Sequence, residues 1–118
     1  MKPIILSSLY LLILFCLSTF VFDPAYLYYE IWWLDIPMHV LGGFGLAFFA
    51  GSILTFLGKS VTYWKIIIFY LIIATGWEFY EYLKDIVLYT DKNSWKDTLS
   101  DFINGLIGMS AAYYLVRK

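Results

Sequence analysis

The chain has 118 residues, enough for one domain, residues 1–118. With 62% hydrophobic and only 14% charged residues it is too apolar for a soluble domain of this size, because a small globule needs more polar surface. Nine Asp/Glu outnumber eight Lys/Arg that form no run, which argues against nucleic-acid binding, and the lone Cys16 can close no internal disulfide.

Four apolar runs follow in chain order, each close to the roughly 20 residues a helix needs to cross a bilayer. Residues 3–22 carry no charge. This run is too long for a typical signal peptide, and no small-x-small cleavage site follows, so it reads as a retained span. Asp23 and Pro24 then suit an N-cap and a first helical position. Residues 25–34 hold Tyr26, Tyr28, Tyr29, Trp32 and Trp33, aromatics that favour the headgroup region, so a short helix lying along the interface is expected here. Residues 36–57 form the second span, interrupted only by His39. Gly58-Lys59-Ser60 is a tight turn. Residues 63–83 form the third span, with Lys65 at its start and Glu78 and Glu81 near its end. Ser94-Trp95-Lys96-Asp97 has capping-box spacing, and residues 99–116 form the fourth span. Helices satisfy their own backbone in lipid. The expected fold is therefore an all-α membrane protein, a four-transmembrane-helix bundle with a short interfacial helix between helices 1 and 2.

Charge is distributed unevenly along this topology. Lys2, Lys59, Lys65, Arg117 and Lys118 fall on one side, against Lys84, Lys92 and Lys96 on the other. The positive-inside rule then puts both termini of this multi-pass chain in the cytoplasm. Asp23, Glu30, Asp35, Glu78, Glu81, Asp85, Asp91, Asp97 and Asp101 all belong to the outer half. Acids contribute little to insertion, so a site or surface on the outer side is the better explanation.

Within that half the polar residues repeat at helical spacing. Asp35 and His39 are four apart, Glu78 and Glu81 three apart, and Asp97, Asp101, Asn104 and Gly108 make one stripe. All three faces reach a common depth, within about two turns of the interface at 1.5 Å per residue. A charge at mid-membrane costs ~2.5–3.5 kcal/mol on insertion scales, so these groups must face one another, water or a ligand. Gly42, Gly43, Gly105 and Gly108 line the same helices and suit close helix packing. Simpler roles fit some residues taken singly. Asp35 suits an N-cap, Asp97 a capping-box acid, Asp85 and Asp91 solvated loop charges, Asp23 and Glu30 interfacial ones, and His39 a buried hydrogen-bonded histidine. Two carboxylates one turn apart in an apolar span, Glu78 and Glu81, repel unless a cation or a proton lies between them. The stretch from Asp35 to Gly43 also resembles the stretch from Asp97 to Gly105, as an internal repeat of two hairpins would produce.

The motifs Asp35-Ile-Pro-Met-His39, Glu78-Phe-Tyr-Glu81 and Asp97-Thr-Leu-Ser-Asp101-Phe-Ile-Asn104-Gly105-Leu-Ile-Gly108 stand in the order found in VanZ-like membrane proteins and the related YjdF-type bacterial inner-membrane proteins. The resemblance covers residues 31–116. Ile36 stands where VanZ-like proteins commonly have Lys, and Lys96 is the nearest substitute for an Arg before the last helix. Glu81 looks more like the YjdF-type pattern. The resemblance implies a small envelope-associated, multi-pass protein of the plasma (inner) membrane; one VanZ-like protein is linked to teicoplanin resistance.

Four functions fit these residues. In the first, Asp35, His39, Glu78, Glu81, Asp97 and Asp101 hold a divalent metal such as Mg²⁺ or Mn²⁺, since carboxylates with one imidazole make a mostly oxygen ligand set. Glu78, Glu81, Asp101 and His39 are then the candidate catalytic groups, Asn104 binds substrate, and the target is an envelope lipid or lipid-linked molecule beside the bilayer. In the second, the chain binds an envelope ligand or antibiotic without turnover. The third is a proton-coupled small transporter, and the fourth a structural protein whose polar residues lock its helices.

Overall fold

In lipid a charge-poor run can satisfy its backbone only from within, and the described residues are predominantly helical. In a computed structural model the described residues are 2–22, 31, 33–88 and 95–116. Among them are four long helices, α1 Lys2–Cys16, α2 Asp35–Phe56, α3 Tyr63–Leu88 and α4 Trp95–Val116, with α1 running on into a π-helical turn, Leu17–Phe22. The expected caps at Asp23 and Ser94, the charges Glu30 and Asp91, and most of the expected interfacial helix 25–34 lie outside the described residues.

Lys2–Val21, Asp35–Phe56 and Tyr63–Lys84 are long and apolar enough to cross a membrane. α4 matches α2 in length, at 22 residues, but does not join those three. Lys96, Asp97, Thr98, Ser100, Asp101 and Asn104 crowd its first turns and dilute its apolar character.

The helices end where chemistry stops them. After α2 the chain closes in a Schellman turn: Lys59 N–H donates to the Leu54 carbonyl at 2.8 Å and Gly58 N–H to the Thr55 carbonyl at 3.0 Å. Gly58 supplies the positive φ of 69° that this turn requires. The Lys65 ammonium reaches back to the Ser60 carbonyl and hydroxyl, both at 3.0 Å, so its charge stays at the mouth of α3. At the other end Leu34 occupies the N-cap of α2 without a side-chain cap. Asp35 is therefore the first helical residue and not the cap that its position suggested.

α2 and α4 form the closest pair, and small residues are the reason. A Cβ on Gly43 would collide with the backbone of Gly105, and one on Gly108 with the Val40 carbonyl. Gly105 also receives the Tyr70 ring, whose hydroxyl donates to the Phe102 carbonyl at 2.9 Å. Gly45 receives Tyr10, whose hydroxyl donates to the Leu41 carbonyl at 2.8 Å. Gly42 differs from its neighbour, because a Cβ there would meet nothing within 4 Å.

Ala47, Ala50, Ile66, Tyr70, Met109 and Ala112 form the buried core where α2, α3 and α4 meet. Outside it the large apolar side chains face outward, including Leu6, Ile13, Trp64, Ile72, Ile107 and Leu115. That inversion of a soluble protein's surface calls for lipid around the helices.

Candidate functional site

The polar residues of three helices meet at the end where α2 and α4 begin. α2 brings Asp35 and His39 one turn apart. His39 Nε2 lies 3.3 Å from Asp35 Oδ1 and 3.2 Å from Asp101 Oδ1 of α4. From α3, Glu78 and Glu81 approach the same Asp101. One ligand atom each from Asp35, His39 and Asp101 fall within 4.8 Å of one another, and so do those of Glu78, Glu81 and Asp101. Asp101 belongs to both groups, and its side chain is only 5% exposed.

Asp101 faces carboxylates from both neighbouring helices, Asp35 of α2 and Glu78 and Glu81 of α3, at that same spacing. Two carboxyl groups in such contact need a proton between them, or a cation in its place. Glu78 Oε2 is buried with no hydrogen-bond partner among the described residues. Glu81 is held from within its own helix, since Trp77 Nε1 donates to its Oε1 at 2.8 Å. Trp77 in turn packs edge-on against Phe15 of α1, ring centroids 6.0 Å apart, so α1 flanks the site without adding a charge.

Of the residues expected at a common depth, the fold gathers Asp35, His39, Glu78, Glu81 and Asp101 among the described side chains. Asp97 and Asp85 lie in α4 and α3, but their side chains fall outside the described residues. Asn104 follows Asp101 down α4, and its amide donates to Ser100 Oγ at 3.3 Å along its own helix. The sequence reading passed over Trp77. Its signal, a Trp four residues before a carboxylate on a helix, is faint in a chain with 22% aromatic residues.

Two of the described polar groups toward the α2–α3 turn are occupied. Thr55 donates to the Gly51 carbonyl at 2.9 Å, and Ser110 pairs with the Tyr63 hydroxyl at 3.3 Å. An apolar groove of about 330 Å³ between α1 and α2 lies toward that same end, along Leu6, Tyr10, Phe44 and Phe48.

The helices and their apolar exteriors define a membrane protein, with a carboxylate–imidazole cluster at one end. The chain belongs to DUF2238, a family described as predicted membrane protein, whose profile matches residues 4–118 and so takes in all four helices. No curated protein and no solved structure gives a significant match.

Proposed function

We propose that this chain is a four-span protein of the cell envelope that binds a divalent cation, Mg²⁺ or Mn²⁺, near its outer face and acts on an envelope lipid or lipid-linked molecule. The observation that carries the reading is the convergence of Asp35, His39, Glu78, Glu81 and Asp101 from three helices, with the ligand atoms of each trio within 4.8 Å. Carboxylates with one imidazole suit these ions better than a thiolate-type zinc site. A bound cation would polarise a phosphoryl oxygen or activate water. Asp97 is a further candidate ligand, and Asn104 a candidate contact for substrate.

Several features support the membrane setting. At 22 residues α4 reaches ~33 Å, enough to cross as the fourth span. The excess of Lys and Arg near the termini and the α2–α3 turn favours a cytoplasmic location for both. The resemblance of the Asp35–His39, Glu78–Glu81 and Asp97–Gly108 motifs to VanZ-like and YjdF-type proteins favours the plasma membrane and an envelope molecule as target.

One observation favours a second reading, in which the cluster only locks helix packing. His39 already contacts two carboxylates, one of them across the α2–α4 interface. The two readings part on metal content. Full-length protein in detergent, dialysed against Mn²⁺ and freed of unbound ion, should retain Mn²⁺, and Glu78→Gln should retain far less. Equal background levels in both would leave only the packing role.

A further inference from the structure

We infer that the cluster is built for two divalent cations bridged by the Asp101 carboxylate, one held with Asp35 and His39 and the other with Glu78 and Glu81. The inference rests on the cation-binding reading above and gives that site a stoichiometry.

The division follows from the helices. α2 supplies one pair of ligands, α3 the other, and the two trios have only Asp101 in common. A carboxylate has two oxygens, so one residue can serve both centres, and sites with two metals ~3.5–4 Å apart are a familiar arrangement for handling phosphoryl groups. Oxygen ligands of one Mg²⁺-sized ion sit at ~2.1 Å from it, and therefore within ~4.2 Å of each other. Each trio, spread over at most 4.8 Å, closes on one ion with small side-chain shifts. No group of all five meets that 4.8 Å spacing among the described residues, so a single ion would also have to draw the Asp35–His39 and Glu78–Glu81 pairs together.

Charge gives the same count. Asp35, Glu78, Glu81 and Asp101 carry four negative charges when ionised, with His39 neutral as a ligand. One dication leaves two of them uncompensated inside an apolar bundle, and two dications neutralise the set. Glu78 Oε2, buried and without a partner among the described residues, is an acceptor that their donors leave unused. Three protein ligands per ion also leave coordination positions open for water or for the oxygens of a substrate.

The test is the ratio of Mn²⁺ to chain in the full-length protein in detergent, titrated with Mn²⁺ alone and read by elemental analysis and electron paramagnetic resonance. Two Mn²⁺ per chain with an exchange-coupled spectrum is the expected result. Asp35→Asn and Glu81→Gln should each fall to about one Mn²⁺ per chain with an uncoupled spectrum. Asp101→Asn should abolish the coupling, with helix content and elution volume checked for every variant. A wild-type ratio of one without coupling overturns the two-cation centre and leaves the simpler cation site standing. No retained Mn²⁺ at any concentration overturns both.

Discussion

The hairpin α1–α2 and the hairpin α3–α4 are packed by the same devices, yet only one of them brings carboxylates on both of its helices. In each, a tyrosine on the first helix donates to a backbone carbonyl on the second: Tyr10 to Leu41 and Tyr70 to Phe102. In each, the tyrosine ring fills the space over a glycine of the second helix, Gly45 or Gly105. α2 and α4 run parallel and meet in register. His39 faces Asp101 and Gly43 faces Gly105, both pairs 62 positions apart. The two tyrosines are 60 positions apart, and that offset carries Glu78 and Glu81 onto Ser18 and Val21 of the first hairpin, neither of them acidic. The difference separates scaffold from chemistry. Repeated tyrosines and glycines hold two similar hairpins together, and the acids of α3 make the junction between them asymmetric.

The scaffold side of this comparison breaks most severely at the glycine contact. Gly43→Leu drives a side chain into the Gly105 backbone, which cannot move aside as a flexible side chain would. Overpacking of this kind costs ~3 kcal/mol or more. Unfolding in mixed micelles should show that loss together with a drop in folded yield. Gly42→Ala, one residue away with open space around its Cβ, should change stability by less than ~0.5 kcal/mol. Comparable losses from the two variants would mean that the α2–α4 contact is not the close one.

The chemical side breaks at Asp101. Because it joins both ligand groups, Asp101→Asn should raise the dissociation constant for Mn²⁺ by about 100-fold or more, equivalent to ~2.7 kcal/mol. Calorimetric titration measures this directly. Trp77→Phe sharpens the point with a smaller effect. It removes the hydrogen bond to Glu81 but keeps a ring against Phe15, so affinity should fall ~10-fold with helix content unchanged. Unaltered affinity in Trp77→Phe would mean that Glu81 needs no help in pointing at the site.

Much of this was legible in the sequence, for specific reasons. Charges and turn residues bound the apolar runs, so the observed helices begin and end within a few residues of the expected spans. Polar residues inside such runs stand out, and a spacing of three or four fixes their shared face; that is why Asp35, His39, Glu78, Glu81 and Asp101 were found. What stayed hidden depends on how each helix is rotated and on what it meets. Gly42 and Gly43 are adjacent and chemically identical, yet only Gly43 touches α4. Asp35 had the composition of an N-cap, but its carboxylate turns to His39 one turn along the same helix while Leu34 takes the cap position. The likeness between residues 35–43 and 97–105 was visible as a short string. Only packing turns it into opposed pairs across an interface.

The smallest effect tests the likeness of the two hairpins most closely. Tyr10→Phe and Tyr70→Phe each delete one hydroxyl and leave a carbonyl without that donor. Interhelical hydrogen bonds of this type in membrane proteins average ~0.6 kcal/mol, so neither change should unfold the protein. The two sites are not equally exposed: Tyr70 is buried in the core and Tyr10 only partly so. The Phe102 carbonyl lies next to Asp101, whereas the Leu41 carbonyl lies two residues from His39. Tyr70→Phe should therefore cost more stability than Tyr10→Phe. It should also weaken Mn²⁺ binding measurably, through the turn of α4 that carries Asp101, while Tyr10→Phe leaves binding as it was. Equal losses in stability with no change in binding would show two interchangeable clasps. An effect on binding from Tyr70→Phe alone would show that the second clasp also positions the cluster.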